Sequence, residues 1–206
     1  MKATLTVVTF LLFSISTCSF FCSAAEEADA VLDIDGKKVR AGVEYYVLPV
    51  IRGSGGGLTA SSFNNQTLCP LSVVQEQLEV ERGQPVTFRP ENPKKGVIRV
   101  STDVNIRFRS AFTICIQSNV WKLEYDEETG RYIIVTNGVE GNPGRETISN
   151  WFKIEKYERD YKLVYCPTVC NYCKVICKDV GTFIKDGNRR LALTDDKPFR
   201  VMFKKA

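Results

Sequence analysis

Short runs in which apolar and polar positions alternate cover most of the chain, and Gly, Pro, Asn and Asp separate them. A period of two in segments rich in β-branched and aromatic residues predicts strands that bury one face. The runs are YYVLPVI, LSVVQ, GVIRVS, VNIRFRS, FTICIQ, VWKLEYDEETGRYIIV, WFKIEKYERDYKLVYC, TFIK, RRLAL and FRVMF. No stretch carries a sustained helical period with caps. The pattern predicts an all-β chain built as a barrel, a sandwich or a trefoil. Trp121 opens a hairpin whose return strand begins with Tyr132, and Trp151 opens another whose return begins with Tyr161. Repeated hairpins in a chain divisible into three units of about 60 residues suit a β-trefoil, although two echoes do not establish threefold symmetry and such Trp…Tyr hairpins are common in any β protein.

One segment departs from the alternation. After Met1-Lys2 comes the apolar run LTVVTFLLFSI, and then STCSFFCSAAEE, where Ser23 and Ala25 are the small residues that a signal peptidase requires. Residues 1–25 are therefore expected to be a secretory leader, cut after Ala25, with 26–206 as a single domain. The apolar run is shorter than the roughly 20 residues that span a bilayer, and no later segment is long and apolar enough, so no membrane association is expected.

Secretion changes the meaning of the cysteines. Of eight, Cys18 and Cys22 leave with the leader, and the even remainder predicts a disulfide framework in an oxidising compartment. In CPTVCNYCKVIC the spacing is palindromic: Cys166 with Cys177 and Cys170 with Cys173 have the same index sum. Residues facing each other across an antiparallel hairpin share such a sum, so one register places both pairs opposite one another, with Asn171-Tyr172 as the turn. Nested disulfides follow. Cys69 and Cys115 pair by elimination and close a long loop, which on the chain-entropy model contributes about 4 kcal/mol. Zinc also accepts four thiolates, but the chain has no histidine and the four cysteines form one small cluster behind a leader. A redox role for CNYC lacks the helix N-terminus that lowers a thiol pKa.

Composition narrows the function. With 44% hydrophobic and 25% charged residues the chain is ordinarily globular, and its net charge of +4 is scattered among acids, so nucleic acid is not an expected partner. Without histidine there is no Ser-His-Asp or Cys-His pair and no imidazole ligand, so neither an enzyme, a metal nor a cofactor is expected. Asp126, Glu127 and Glu128 read as a solvated hairpin tip, and GSGGGLT as a flexible turn rather than a phosphate cradle. Asn65-Gln66-Thr67 is a glycosylation sequon.

Several motifs together carry a resemblance. VLDIDGKKVRAGVEYYV (Asp33, Gly36, Val39, Tyr45, Val47), CPLSVVQ, NWFKIEK, YKLVYCPTVC and RRLAL with KPFRVMF occur in order over nearly the whole mature chain. They resemble the plant Kunitz-type (soybean trypsin inhibitor) family, and GGGLT, VIRVSTDVNIRF, GNPGRETISNWFKIE and CPTVCNYCKVIC resemble its miraculin-like subgroup. The resemblance implies a β-trefoil with the disulfide pairs above, and a monomeric, secreted inhibitor of trypsin-like serine proteases, acting in plant defence.

In this family an exposed loop between the first two mature cysteines enters the protease as a substrate would. The corresponding stretch here is FRPENPKKGVIRV, Phe88 to Val100, expected to be extended, exposed and basic, with Asn92, Pro93, Lys94, Lys95 and Gly96 as the reactive segment. Lys95 is the expected P1 residue and Gly96 P1′, with Lys94 next. Arg89 is followed by Pro90, which resists docking, and Arg99 lies in a strand-like run. On residue chemistry alone NPKKG is an ordinary solvated turn. Two features depart from the inhibitory pattern. Ala41 stands where inhibitory members have an asparagine that supports the loop, and the loop is one residue longer, with Gly96 adding freedom. The alternative is therefore a weakly inhibitory or non-inhibitory defence or interaction protein, or one acting on cysteine proteases. The subgroup's acid-triggered taste modification needs a group titrating in weak acid, which this histidine-free chain lacks. The cysteine that links its dimers falls near Glu158.

Overall fold

The computed structural model describes residues 27–62, 69–109 and 115–206. The expected leader and Asn65 lie outside these residues. Twelve strands are formed: β1 (Tyr45–Pro49), β2 (Leu58–Ser62), β3 (Leu71–Gln75), β4 (Val86–Pro90), β5 (Val104–Phe108), β6 (Lys122–Asp126), β7 (Arg131–Val135), β8 (Lys153–Tyr157), β9 (Asp160–Tyr165), β10 (Lys178–Lys185), β11 (Asn188–Thr194) and β12 (Arg200–Lys205). A short 3-10 helix, Arg145–Asn150, precedes β8.

Six strands close a barrel. β1 pairs with β4 and β12, β4 with β5, and β9 with β8 and β12. The remaining seam, β5 to β8, is the bridge between Val104 and Phe152, whose two backbone bonds measure 2.8 and 3.0 Å. The other six strands are three hairpins, β2–β3, β6–β7 and β10–β11. They meet as a triangle through β3–β7, β7–β11 and β11–β3 pairings and cap one end of the barrel. Barrel plus hairpin triangle is a β-trefoil, with units beginning at Tyr45, Val104 and Asp160, about 60 residues apart. The Trp121 and Trp151 hairpins are not related by this symmetry: β6–β7 belongs to the cap and β8–β9 to the barrel.

The strand interiors alternate as their sequences predict. Val86, Phe88 and Pro90 of β4 point inward while Arg89 is exposed. Phe108, Trp121, Phe152 and Tyr165 form a chain of ring contacts through the core, with centroids 5.4 to 6.3 Å apart. Such offset and edge-to-face contacts add to the stabilisation from burying large rings. Two strands were not legible in the sequence. β2 is the polar LTASS, and β4 is hidden in a stretch read as loop from Phe88 onward. GVIRVS, conversely, is no regular strand and pairs only through isolated bridges.

In the cysteine-rich segment, Cys166 is bonded to Cys177 and Cys170 to Cys173, with a turn at Asn171-Tyr172; Cys69 is bonded to Cys115. The register of β9 and β10, Tyr165 opposite Lys178 and Val164 opposite Asp179, has the same index sum as the cysteine pairs. The ladder nevertheless stops at Cys166. The Thr168 N–H is turned away from the opposite limb and donates to the Asp103 carboxylate at 3.0 Å.

Burial, with a smaller effect of Tyr132, pushes the Tyr165 phenol up to about 12. An unfolded tyrosine ionises near 10. Above that pH the unfolded chain releases a proton that the folded chain keeps, so this contribution is whole below pH 10 and is lost as pH rises from 10 to 12. The loss reaches about 3 kcal/mol. Chemical denaturation at stepped pH is expected to show that fall, and Tyr165→Phe is expected to flatten it.

Candidate functional site

The stretch from Asn92 to Gly96 lies in the β4–β5 connection and all five residues are exposed. Its first half is a closed turn. The Asn92 side-chain oxygen accepts the Lys94 N–H at 3.1 Å, and the Asn92 carbonyl accepts the Lys95 N–H at 3.0 Å. Asn closing a turn on its own backbone, followed by Pro with its fixed φ, accounts for this conformation. The loop is thus exposed and basic, but it is extended only from Gly96 onward. Gly96 has open space around its Cβ position and no positive φ, so the backbone does not require glycine there.

Both limbs are fastened. On the upstream side the Glu91 N–H donates to the Asp103 carbonyl at 2.9 Å, and the Gly42 N–H to the Phe88 carbonyl at 3.1 Å. On the downstream side the Ala41 N–H donates to the Gly96 carbonyl at 3.1 Å and Val97 bridges to Arg40. The resemblance assigns loop support to an asparagine side chain at position 41; here the backbone of Ala41 makes the contact.

The early signature residues build the platform for this limb. The Asp33 side chain accepts the Asp35 and Lys37 N–H groups at 3.0 and 2.8 Å, and Gly36 supplies the positive φ of 73° that the turn needs. The Tyr45 hydroxyl accepts the Arg40 N–H at 3.1 Å, and Val39 is fully buried. Residues 31–41 therefore form a braced ribbon beside residues 96–100.

The other candidate side chains are occupied elsewhere. Arg89 projects from β4, where a Cβ on Gly141 would lie 3.3 Å from its guanidinium carbon. The Arg99 guanidinium is paired with Glu27 at 2.7 Å. Asp126 caps the β6–β7 turn, accepting the Thr129 N–H at 3.0 Å, and Glu128 pairs with Lys185 at 2.6 Å. The Gly55–Gly57 stretch is not a flexible turn. A Cβ on Gly56 would lie 2.2 Å from the Glu81 carbonyl oxygen and one on Gly57 2.0 Å from that of Arg82, so glycine is needed for close backbone approach. Among the described residues no group of three or more His, Cys, Asp or Glu side chains is placed to hold a metal ion.

One cluster was invisible in the sequence. Asp103, 4% exposed, holds the upstream limb through its carbonyl. Its carboxylate takes the Thr168 N–H and hydroxyl and lies 4.0 Å from the Lys153 ammonium. Lys153 is itself buried and reaches the Thr168 hydroxyl at 3.3 Å. No local pattern marks these residues, because Asp103 and Thr168 meet across 65 residues of sequence.

The family described as trypsin and protease inhibitor, of the legume Kunitz type, matches residues 31–205. The chain belongs to this family. Kunitz trypsin inhibitor 5 of Arabidopsis thaliana is 52% identical over 96% of this chain and 96% of its own length. Miraculin of Synsepalum dulcificum is 55% identical over 89% of this chain and 86% of its own. Among solved structures, the Kunitz-type cysteine protease inhibitor PCPI-3 from potato superposes with a TM-score of 0.74 at 34% identity, over 87% of this chain and 98% of that one.

Removing the Asp103 carboxylate strands a buried ammonium. Asp103→Ala is expected to cost about 3–5 kcal/mol, read as a lower denaturation midpoint, and Asp103→Leu combined with Lys153→Met is expected to recover part of it.

Proposed function

We propose that the chain is a secreted, monomeric inhibitor of trypsin-like serine endopeptidases that presents Lys95 as the P1 residue and Gly96 as P1′. The observation that carries this reading is the placement of Lys94 and Lys95, exposed on a loop fastened on both limbs by backbone hydrogen bonds. A loop already held in place has little conformational freedom left to lose on docking, so more of its contact energy appears as affinity. A lysine at P1 places an ammonium in the acidic pocket of a trypsin-like enzyme. Secretion rests on the leader-like start and the three disulfides. Among the described residues no helix is long and apolar enough to cross a membrane. An exogenous digestive protease is the fitting partner and defence the fitting role.

A second reading has its own observation. The Lys95 N–H is used inside the Asn92–Lys95 turn, where a substrate-like segment would offer it to the enzyme. That favours weak inhibition of trypsin, or a different target. The likeness to a potato cysteine protease inhibitor makes a papain-type enzyme the alternative to test. A non-inhibitory interaction protein is the third outcome.

Titration of the secreted protein against trypsin, chymotrypsin and papain separates these. Stoichiometric loss of trypsin activity is expected, and Lys95→Glu is expected to weaken it about 100-fold or more, because a carboxylate then faces the acidic pocket. Full trypsin activity at high molar excess of the native protein would remove the trypsin reading, and loss of papain activity in its place would support the second.

A further inference from the structure

The downstream limb of the loop is flanked on its other side by the first residues of the described chain. Ala30 bridges to Arg99, the Val31 N–H donates to the Ile98 carbonyl at 2.9 Å, and the Val100 N–H donates to the Asp29 carbonyl at 2.9 Å. Arg99 clasps this segment. Its Nη1 donates to the Ala28 carbonyl at 2.7 Å and its Nη2 reaches the Glu27 carboxylate at 2.7 Å, with the Arg99 side chain only 18% exposed. From outside, Lys156 of β8 pairs with Asp29 at 2.5 Å and holds its carboxyl below the usual carboxylate range. A guanidinium with two acceptors in fixed directions orients a chain as a single ammonium cannot.

We propose that Glu27–Ala30, clasped by Arg99, is a retaining strap that keeps the amine side of the loop in place when a protease opens the Lys95–Gly96 bond. This rests on the reading of Lys95-Gly96 as the segment that enters a serine protease. In that step the enzyme's serine oxygen attacks the Lys95 carbonyl carbon and its proton passes to the catalytic histidine. The bond to Gly96 then breaks as that proton moves on to the Gly96 nitrogen, leaving an ester at Lys95 and a free amine at Gly96. In reverse, the amine attacks the ester, its proton returns through the histidine, and the serine hydroxyl is restored. Water competes for the same ester and turns the inhibitor into a cleaved substrate. The outcome depends on how long the amine stays within reach, and a held group has an effective concentration far above that of a free one.

The strap is what distinguishes this limb from a simple hairpin arm. Ala41 and Arg40 hold Gly96 and Val97 from one side. Ile98 is held from both sides, by Val39 and by Val31, while Arg99 and Val100 are held from the strap side, and Arg99 fixes the strap without burying an apolar side chain at its end. Loss of residues 27–30 by trimming from the N-terminus would therefore convert an inhibitor into a substrate while leaving the barrel folded.

Arg99→Met keeps the stem of the side chain and removes the clasp; Glu27→Ala removes only its exposed half. Lys178→Ala, which breaks an exposed ion pair between β10 and Asp195, just after β11, is the control. Hydrogen exchange at the Val100 and Val31 amides is expected to speed up at least about tenfold in Arg99→Met, with the Ile134 amide of the cap unchanged. Hydrolysis at Lys95–Gly96 during incubation with trypsin, read by mass spectrometry, is expected to rise at least about tenfold in Arg99→Met and less in Glu27→Ala. If native protein inhibits trypsin and both variants match the control in exchange and hydrolysis, the strap is refuted while the inhibitory reading stands. If native protein neither inhibits nor is cut, the inhibitory reading falls and the retaining role falls with it, whatever the exchange rates show. Should Arg99→Met not fold, the exposed Glu27→Ala variant decides the same comparison.

Discussion

Three backbone hydrogen bonds form a ring on which the candidate loop depends. Val31 donates to Ile98 at 2.9 Å, Ile98 to Val39 at 2.9 Å, and Val39 back to Val31 at 2.8 Å. All three side chains are fully buried, so none of these donors has water as an alternative partner. A buried donor left unpaired costs the whole desolvation of the group, about 1–3 kcal/mol, which makes the ring hard to open at any one member. Because its members come from the start of the described chain, the ribbon before β1 and the exit of the β4–β5 loop, the ring joins three distant segments. The exposed residues upstream of Ile98 therefore emerge from a rigid base.

That base explains why the two halves of the loop differ. Downstream, the backbone is held by ladder-like bonds to the 29–31 and 39–41 segments. Upstream, Asn92 and Pro93 satisfy the backbone locally, with bonds that span only two or three residues. Local turns of this kind open at lower cost than bonds closed by a buried core. A protease approaching Lys95 would then meet a fixed amine side and an adjustable acyl side. Adjustment on the acyl side lowers affinity, since ordering it consumes part of the contact energy, whereas fixity on the amine side favours resealing.

The sequence revealed the fold where side-chain chemistry repeats locally, and hid it where partners are distant. Alternating β-branched and aromatic residues marked β1, β3, β5 to β9 and most of β10 to β12, and the equal index sums of the cysteines anticipated the β9–β10 register. β2 and β4 were missed for opposite reasons: LTASS has too little apolar side chain to show a period, and VTFRP runs straight into a turn-rich stretch. The Trp121 and Trp151 echo reflects a shared hairpin chemistry rather than the threefold axis. The location of the candidate loop came from the family resemblance, since NPKKG alone reads as a solvated turn, and its clasp was hidden because Arg99 meets Ala28 across 71 residues of sequence. The same holds for Arg190, buried against Ser72 of β3 across 118 residues, its guanidinium held below its usual pKa by that burial.

Asp103 connects the cysteine-rich segment to the candidate loop. Its carbonyl fixes the upstream limb at Glu91, while its carboxylate fixes Thr168, two residues after Cys166. The Cys166–Cys177 bond keeps Thr168 from drifting by closing the segment at its base. Without that closure the Thr168 N–H would gain chain freedom, and the Asp103 carboxylate would keep only a lysine 4.0 Å away in a buried site. A buried carboxylate so poorly satisfied would draw in water or move, and its own carbonyl would move with it. The Cys166–Cys177 bond thus helps to hold still the residue from which the loop is hung.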